Sequence, residues 1–351
     1  MPLSQSQKAV WEKARSLGSG GQAVQLDDAA CAFLIARIAA DLGLINEFPE
    51  FDDDVPAFFS PGELDELAFD GIAPLPLFER LLGINSDGDM YFACLASLHK
   101  ARLKYECILE TQAIPTLEQV GPRGLLQYGK LSPQALVSFL LWRKWFFDID
   151  NRAGQETGYL FEPVIANAVG GTPVPSSRSP VKRHKDNRKG RQVDCLLGNR
   201  AYELKILMTI AASGQGRWGE ELDFPIDCKQ SGFVPVLVVL DSTPNPKLTQ
   251  LTKAFIDQGG EAYVGPAAWE HLDELAGPTM AAFLDKYVRD PIEHIINDAP
   301  DILPEIRARM AEGAIFIGLG EEEMRITRPG EEDGGDDEHD EAPNDLFDGE
   351  L

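Results

Sequence analysis

One short stretch in the middle of the chain carries the residues best suited to chemistry. It is VDCLLGNRAYELK, from Val193 to Lys205, and its charged residues of interest are Asp194, Glu203 and Lys205. Two carboxylates, together with a main-chain carbonyl and water, suit Mg²⁺, a cation that prefers oxygen ligands. A lysine beside them can orient a water or hydroxide and stabilise negative charge that develops on a phosphoryl oxygen. These residue types therefore indicate metal-assisted hydrolysis of a phosphodiester.

The spacing of these residues fits two strands joined by a tight turn. Gly198-Asn199 suits a two-residue hairpin turn with glycine first, and this turn would place Asp194 opposite Glu203 and Gln192 opposite Lys205. Because strand side chains alternate, these four polar residues would share one face of the sheet. The apolar residues of the stretch would face the other way, and they are Val193, Cys195, Tyr202, Leu204 and Ile206. Two opposed carboxylates repel each other unless a positive group lies between them, so this register indicates a bound cation.

The same charges could instead lie on a solvated face in ordinary surface pairs. Three observations weigh against that alternative. Apolar strand residues flank the hairpin, and the most basic segment of the chain leads into it. Glu162 lies in the preceding helical stretch, where it could supply a further metal ligand.

A basic run precedes the hairpin. Residues 178–191 hold seven Lys or Arg and a single Asp. Such side chains can contact DNA phosphates, which orients DNA without reading its sequence. The candidate contacts are Lys182, Arg183, Lys185, Arg188, Lys189 and Arg191. The alternative is a solvated, flexible loop whose charge is incidental.

A Gly-rich segment, ASGQGRWGEE, follows the hairpin. Glycine lets a backbone approach a ligand closely, so Ser213, Gln215 and Arg217 could approach DNA. An equally good interpretation is a tight turn from a strand to a helix.

The order of the predicted elements indicates how these residues are positioned. Helical apolar spacing dominates residues 1–150, which predicts a mainly helical N-terminal region. Within residues 151–300, a helix over 157–171 precedes the hairpin, and GFVPVLVVLD predicts a strand buried on both faces. Further helices and a strand follow, so this part predicts an α/β core. Residues 320–351 are acidic and nearly free of aromatics, so we expect a disordered tail.

The composition excludes some classes of protein. The five Cys are widely spaced without a CxxC pair, which argues against a disulfide framework and against structural zinc. No apolar run is long enough for a transmembrane helix and the N-terminus lacks an apolar signal segment, so we expect a cytoplasmic protein. The net charge of −25 is unevenly distributed, because residues 321–351 hold 14 acids against two bases. The acidic total therefore does not exclude DNA as a partner.

The order of site residues and elements resembles the core of the PD-(D/E)XK nucleases. That core has a helix with a Glu, matched here by Glu162, then a strand with Asp194 and a strand with Glu203 and Lys205. The resemblance implies a mixed central sheet flanked by helices, with Mg²⁺ held by Asp194 and Glu203, and with Lys205 assisting the attacking water. Many members use the helical Glu near the metal. Val193 stands where the motif name has proline, which leaves the ligands intact.

A narrower similarity is to the ApaLI-like type II restriction endonucleases. Two stretches within residues 155–290 carry it, RQVDCLLGNRAYELKILMTIAASGQGRWGEELDFP and PVLVVLDSTPNPKL. It implies a homodimer that cuts double-stranded DNA at a short palindrome and leaves 5′-phosphate and 3′-hydroxyl ends. It also implies GTGCAC as the first palindrome to test, and a cognate DNA methyltransferase in the same system.

Two alternative functions stay open from the sequence. One is a DNA repair or recombination nuclease with the same core, which site-specific cutting would separate from a restriction enzyme. The other is a non-catalytic nuclease-like scaffold or an acidic DNA mimic, which the charge of −25 supports. The presence of Asp194, Glu203 and Lys205 together weighs against the second alternative.

Overall fold

The computed structural model describes residues 3–17, 22–52, 54–60, 64–206 and 215–329. Helices make up most of the chain before residue 170. The α-helices are α1 (Gln5–Arg15), α2 (Asp28–Asp41), α3 (Pro74–Ile84), α4 (Gly88–Thr111), α5 (Leu117–Val120), α6 (Pro133–Ala168), α7 (Gln215–Gln230), α8 (Pro246–Asp257), α9 (Pro266–Leu284) and α10 (Asp290–Asn297). Short 3₁₀ turns precede α3, a 3₁₀ segment (Gly121–Gln127) joins α5 to α6, and a π-helical turn (Asp285–Arg289) joins α9 to α10.

Strands follow α6. They are β1 (Thr172–Val174), β2 (Lys182–Arg183), β3 (Asp186–Gly190), β4 (Val193–Leu197), β5 (Arg200–Lys205), β6 (Val234–Val239), β7 (Glu261–Val264), β8 (Ile306–Ala311), β9 (Ala314–Leu319) and β10 (Glu322–Thr327). A five-stranded sheet has the order β1-β4-β5-β6-β7. Its first three strands pair antiparallel and β5, β6 and β7 pair parallel, so the expectation of a mixed central sheet flanked by helices is confirmed.

Helix α6 is the longest element. The apolar spacing predicted two helices here, one from Ser132 and one over 157–171, whereas the structure has a single helix of 36 residues. The Ser132 hydroxyl accepts a hydrogen bond from the Ala135 N–H at the first turn, and Gly170 at φ 75° follows the last turn. The helix crosses position 150, where the sequence pattern separates the N-terminal region from the core.

The sheet is covered on both faces. One face, with Tyr202 and Leu204, packs on α6, on α9 and on the N-terminal helices α2 and α4. The other face, with Ala201 and Leu237, packs on α7 through Phe224 and on α8. Because the N-terminal helices share a core with the sheet, they buttress the strands that carry the candidate site.

The β4–β5 hairpin has the predicted register but a bulge at its start. Cys195 pairs with Tyr202, as the two-residue turn requires. Opposite β1, however, two residues of β4, Asp194 and Cys195, face the single residue Pro173. Such a β-bulge reverses the alternation of side chains. The prediction that Val193 shares a face with Cys195 is therefore wrong, because Val193 packs in the cluster on the opposite face.

A separate antiparallel sheet, β8–β9–β10, lies near the end of the described chain. Ile315, Ile317 and Ile326 pack with Trp145 of α6 in a small core of their own. Residues 322–327 are thus a strand, although the acidic composition predicted a tail from residue 320. The rest of that predicted tail, residues 330–351, lies outside the described residues.

Within the described part of the chain, no helix is long and apolar enough to cross a membrane. The five cysteines are free thiols, and all but Cys107 are buried.

Candidate active site

The bulge of β4 and the end of β5 bring Asp194, Glu203 and Lys205 together. The regular pairing of β4 with β5 ends at the Cys195–Tyr202 pair. Beyond it, the Leu204 N–H donates a 2.9 Å hydrogen bond to the Asp194 side chain, at Oδ2, and not to a main-chain carbonyl of β4. Lys205 Nζ lies 3.1 Å from Glu203 Oε1. A bulge next to a strand end is a common way to aim one side chain at a site.

Helix α7 adds a fourth charged group. Glu221 Oε1 lies 3.6 Å from Lys205 Nζ, so the lysine is held between two carboxylates. The Glu203 and Lys205 side chains are only 19 % and 17 % exposed. The cluster is therefore partly buried and does not lie on a solvated face.

The electrostatics of the cluster are those of crowded carboxylates. Burial, followed by the charges of Glu203 and Glu162, raises the pKa of Asp194 well above its ordinary value. Burial alone would lower the pKa of Lys205, but the charges of Glu203, Glu221 and Asp194 outweigh it and raise that pKa. Lys205 thus keeps its proton and serves as the positive counter-charge of the cluster.

Glu162 lies close enough for its charge to act on Asp194, as the prediction requires. It is in the last two turns of α6, one residue before the internal Pro163. The structure thus places all four of the predicted catalytic and metal residues in one electrostatic neighbourhood.

The donor set suits a hard cation. Among the described residues, no three His, Cys, Asp or Glu side chains are arranged so that they could hold a metal ion together. Mg²⁺ commonly uses one or two carboxylates and keeps several waters, so it needs no such cage. Asp194 and Glu203 are the nearest candidates for those carboxylates. A cation there would relieve the repulsion from Glu203 and Glu162 that, after burial, raises the pKa of Asp194.

The basic run forms an exposed hairpin, β2–β3, and three of its six candidate bases pair with acids of α7. Arg183 pairs with Glu220 at 2.6 Å, and Lys185 pairs with Asp223. Arg191 is buried and lies 3.0 Å from Asp227, so it anchors the hairpin from within.

The remaining basic residues of the run are exposed. Lys182, Arg188 and Lys189 are exposed in the β2–β3 hairpin, and the Arg188 side chain pairs with Asp186 of the same strand. Ser213 and the side chains of Gln215 and Arg217 lie outside the part of the chain that the structure describes.

Glu221 is the residue of this site that the sequence pattern missed. It belongs to the GEELDF segment of α7, and nothing in the spacing of Glu220 and Glu221 tells which of them faces β5. That choice depends on how α7 packs on the sheet through Phe224, a contact between distant parts of the chain.

The chain is similar to known restriction endonucleases. Residues 76–289 match the model of the ApaLI-like restriction endonuclease family. The chain is also similar to the type II restriction enzyme ApaLI of Acetobacter pasteurianus, with 43% identity over 327 residues that cover 85% of this chain and 86% of that protein. No solved structure matches the chain significantly.

Proposed function

The chain belongs to the ApaLI-like restriction endonuclease family, and from this membership we propose that it is a type II restriction endonuclease that hydrolyses phosphodiesters of double-stranded DNA. One observation of the geometry supports this reaction above the others. Lys205 lies between Glu203 and Glu221, beside a largely buried Asp194 whose pKa is raised by burial and by neighbouring carboxylates. Perturbed titratable groups gathered in a crevice are typical of catalytic sites.

In this proposal the core is a PD-(D/E)XK arrangement. Asp194 and Glu203 would hold Mg²⁺. Glu162 of α6 acts on Asp194 through its charge and is the further candidate ligand, which would have to move closer to complete the site. A bound metal supplies Lewis-acid stabilisation of the charge that develops on the phosphoryl group. The order of the mixed sheet and the position of Glu162 at the end of α6 support this arrangement.

Each protein group then has a distinct task. The Leu204 N–H fixes the orientation of the Asp194 carboxylate. Lys205 is a charged ammonium because its neighbours raise its pKa, so it orients the attacking water and stabilises negative charge on a phosphoryl oxygen. The water oxygen forms the new bond to phosphorus as the bond to the 3′ oxygen breaks. The products are a 5′-phosphate and a 3′-hydroxyl.

The DNA contacts are also proposals. Lys182, Arg188 and Lys189 are exposed and suit phosphate contacts, whereas Arg183, Lys185 and Arg191 must first leave the acids of α7. A homodimer would present two such sites to a palindrome by two-fold symmetry, and a methyltransferase of the same specificity would protect the host DNA.

The test is cleavage of a plasmid that contains one GTGCAC sequence, with and without Mg²⁺, beside a plasmid in which that sequence is altered. The proposal predicts one linear product, formed only with Mg²⁺ and only from the first plasmid. Its ends should be ligated without prior phosphorylation. Cutting at another sequence would correct the palindrome alone, whereas random degradation would favour a repair nuclease. No cutting of any DNA would contradict the enzyme assignment and favour a non-catalytic scaffold.

A further inference from the structure

A second surface of the molecule has features of a nucleic-acid contact. It lies on the N-terminal half of α6 and on the 3₁₀ segment Gly121–Gln127 that packs against it. Val120, Leu136 and Leu140 form a small core beneath it, separate from the core under the central sheet. An added Cβ at Gly124 would lie 2.6 Å from Leu140 Cδ1, so the 3₁₀ segment packs closely on α6 at this point.

The surface exposes large apolar side chains to an unusual degree. Leu126 is 90% exposed and Tyr128 is 79% exposed, and Phe139 is 43% exposed. Exposed apolar patches of this kind mark interaction sites, because leaving them in water is unfavourable.

The same surface is positively charged in a strongly acidic chain. Residues 117–147 contain four Lys or Arg and one acid, although the whole chain carries −25. Lys144 pairs with Asp148, so the positive charge of the surface comes from Arg123, Lys130 and Arg143. Arg123 and Lys130 are exposed and form no ion pair within the part of the chain that the structure describes. Arg143 lies over the Phe139 ring at 5.3 Å and donates to the Gln127 side chain. In the basic run that includes β2–β3, by contrast, Arg183, Lys185 and Arg191 pair with acids of α7.

We infer that this surface, here called the basic apolar face (Arg123, Leu126, Tyr128, Lys130, Phe139 and Arg143), binds duplex DNA that flanks the cleaved sequence. The inference rests on the proposed nuclease function and extends it to a second contact. Arg123 and Lys130 would neutralise phosphates, and the exposed leucine and tyrosine would pack against sugars or the floor of a groove.

The length of α6 sets the distance between this face and the candidate active site. Phe139 and Glu162 are on one helix. At a rise of 1.5 Å per residue they are roughly 35 Å apart, which corresponds to about 10 base pairs of duplex. Duplex DNA that followed α6 from the candidate active site would reach this face beyond a six-base-pair palindrome, so the face would contribute affinity and not base recognition.

A second copy of the chain fits this face less well. In a two-fold homodimer the same patch meets itself, so Arg123 and Lys130 of one copy would meet the base-rich patch of the other. Like charges brought together in this way are unfavourable, and the single acid of residues 117–147 cannot offset them. Duplex DNA offers phosphates in their place.

The experiment measures the affinity of the full chain, in an Asp194→Asn background that prevents cleavage, for two duplexes with the same central palindrome. One duplex has about 12 base pairs and the other about 40, so only the second can reach the face. The Arg123→Ala/Lys130→Ala variant is compared with Lys253→Ala/Arg309→Ala. The control residues are also exposed and their loss changes the net charge equally, but they pair with Asp257 and Glu323.

We expect Arg123→Ala/Lys130→Ala to bind the long duplex roughly tenfold more weakly and to lower the slope of log affinity against log salt by about 2. Affinity for the short duplex should stay unchanged, and the control should match the parent on both. Equal affinities of variant and control for the long duplex would overturn the inference while leaving the nuclease proposal intact. A parent that binds neither duplex would instead contradict the proposed function.

Sedimentation equilibrium on Leu126→Ala/Tyr128→Ala separates DNA binding from self-association. The inference predicts the same mass as the parent chain and weaker binding of the long duplex. A change from dimer to monomer would make this face the interface between copies and would overturn the inference.

Discussion

At the scale of single residues, the structure assigns different tasks to charges that look alike in the sequence. Asp194 is aimed by a bulge and by the Leu204 N–H, and Lys205 is held by carboxylates from two elements. By contrast, Arg191 belongs to a basic run yet is buried beside Asp227. Sequence spacing could predict the hairpin pair and its chemistry. It could not predict Glu221, because that contact depends on the packing of α7.

Glu221 should matter to the rate because it helps to position Lys205. We predict that Glu221→Gln lowers the single-turnover cleavage rate by about tenfold, the usual effect of removing a partner that orients a catalytic group. Affinity for DNA should change little. Asp257→Asn, which removes an exposed carboxylate of α8, is the matched control. A rate within twofold of the wild type would show that Glu203 alone positions the lysine.

His99 makes stability depend on pH far from the active site. Burial lowers the pKa of His99 to about 4 from 6.5, and its Nδ1 has no partner within the described part of the chain. Below pH 6.5 the unfolded chain takes up a proton that the folded chain does not bind until about pH 4, so stability falls as the pH falls through this range. The contribution from His99 should be about 2 kcal/mol between pH 7 and pH 5.

Urea unfolding at these two pH values tests the assignment. His99 packs near the Phe33 and Phe58 rings, so His99→Phe keeps a ring in an aromatic site. The variant should lose about 2 kcal/mol less than the wild type between pH 7 and pH 5. An equal loss in both proteins would show that other groups cause the pH dependence.

At the scale of elements, α7 connects the candidate site to the basic hairpin. One side of the helix places Glu221 near Lys205, and the neighbouring Glu220 accepts from Arg183 and Arg191 of the hairpin. Alternating strands and an apolar helix face were predictable from the sequence. The bulge of β4 was not, because it arises from the pairing of β4 with Pro173 of β1.

Arg191 anchors the β2–β3 hairpin from within, so its substitution should affect stability, whereas substitution of an exposed base should affect DNA binding. Arg191→Ala leaves the buried Asp227 carboxylate without its guanidinium partner, so it should lower the free energy of unfolding by about 3 kcal/mol. Lys189→Ala, two residues away and exposed, should change stability by less than about 0.5 kcal/mol and weaken DNA binding. Urea unfolding and DNA titration on both variants check this pair. Equal stability of the two variants would contradict the internal role of Arg191.

At the scale of the whole molecule, one core joins the N-terminal helices to the central sheet. The order of apolar runs could predict a mixed α/β fold with a central sheet, and that much is confirmed. The continuity of α6 through position 150 was not predictable, because its polar middle segment, DNRAGQETG, resembles a linker. The sheet β8–β10 could not be predicted, because the acidic residues around its strands resemble a disordered tail. In the structure Ile326 of β10 packs on Trp145.

The most direct test of the central claim is the single-turnover cleavage rate of Asp194→Asn and Lys205→Ala beside the Asp257→Asn control, with DNA and Mg²⁺ in excess. Each of these two groups is assigned to the stabilisation of the transition state, and several kcal/mol of such stabilisation corresponds to roughly a thousandfold in rate. We expect a loss of this size in the two site variants, a wild-type rate in the control, and folded protein in all three. Cleavage by Asp194→Asn or Lys205→Ala at the wild-type rate would contradict the central claim and place the chemistry elsewhere in the chain.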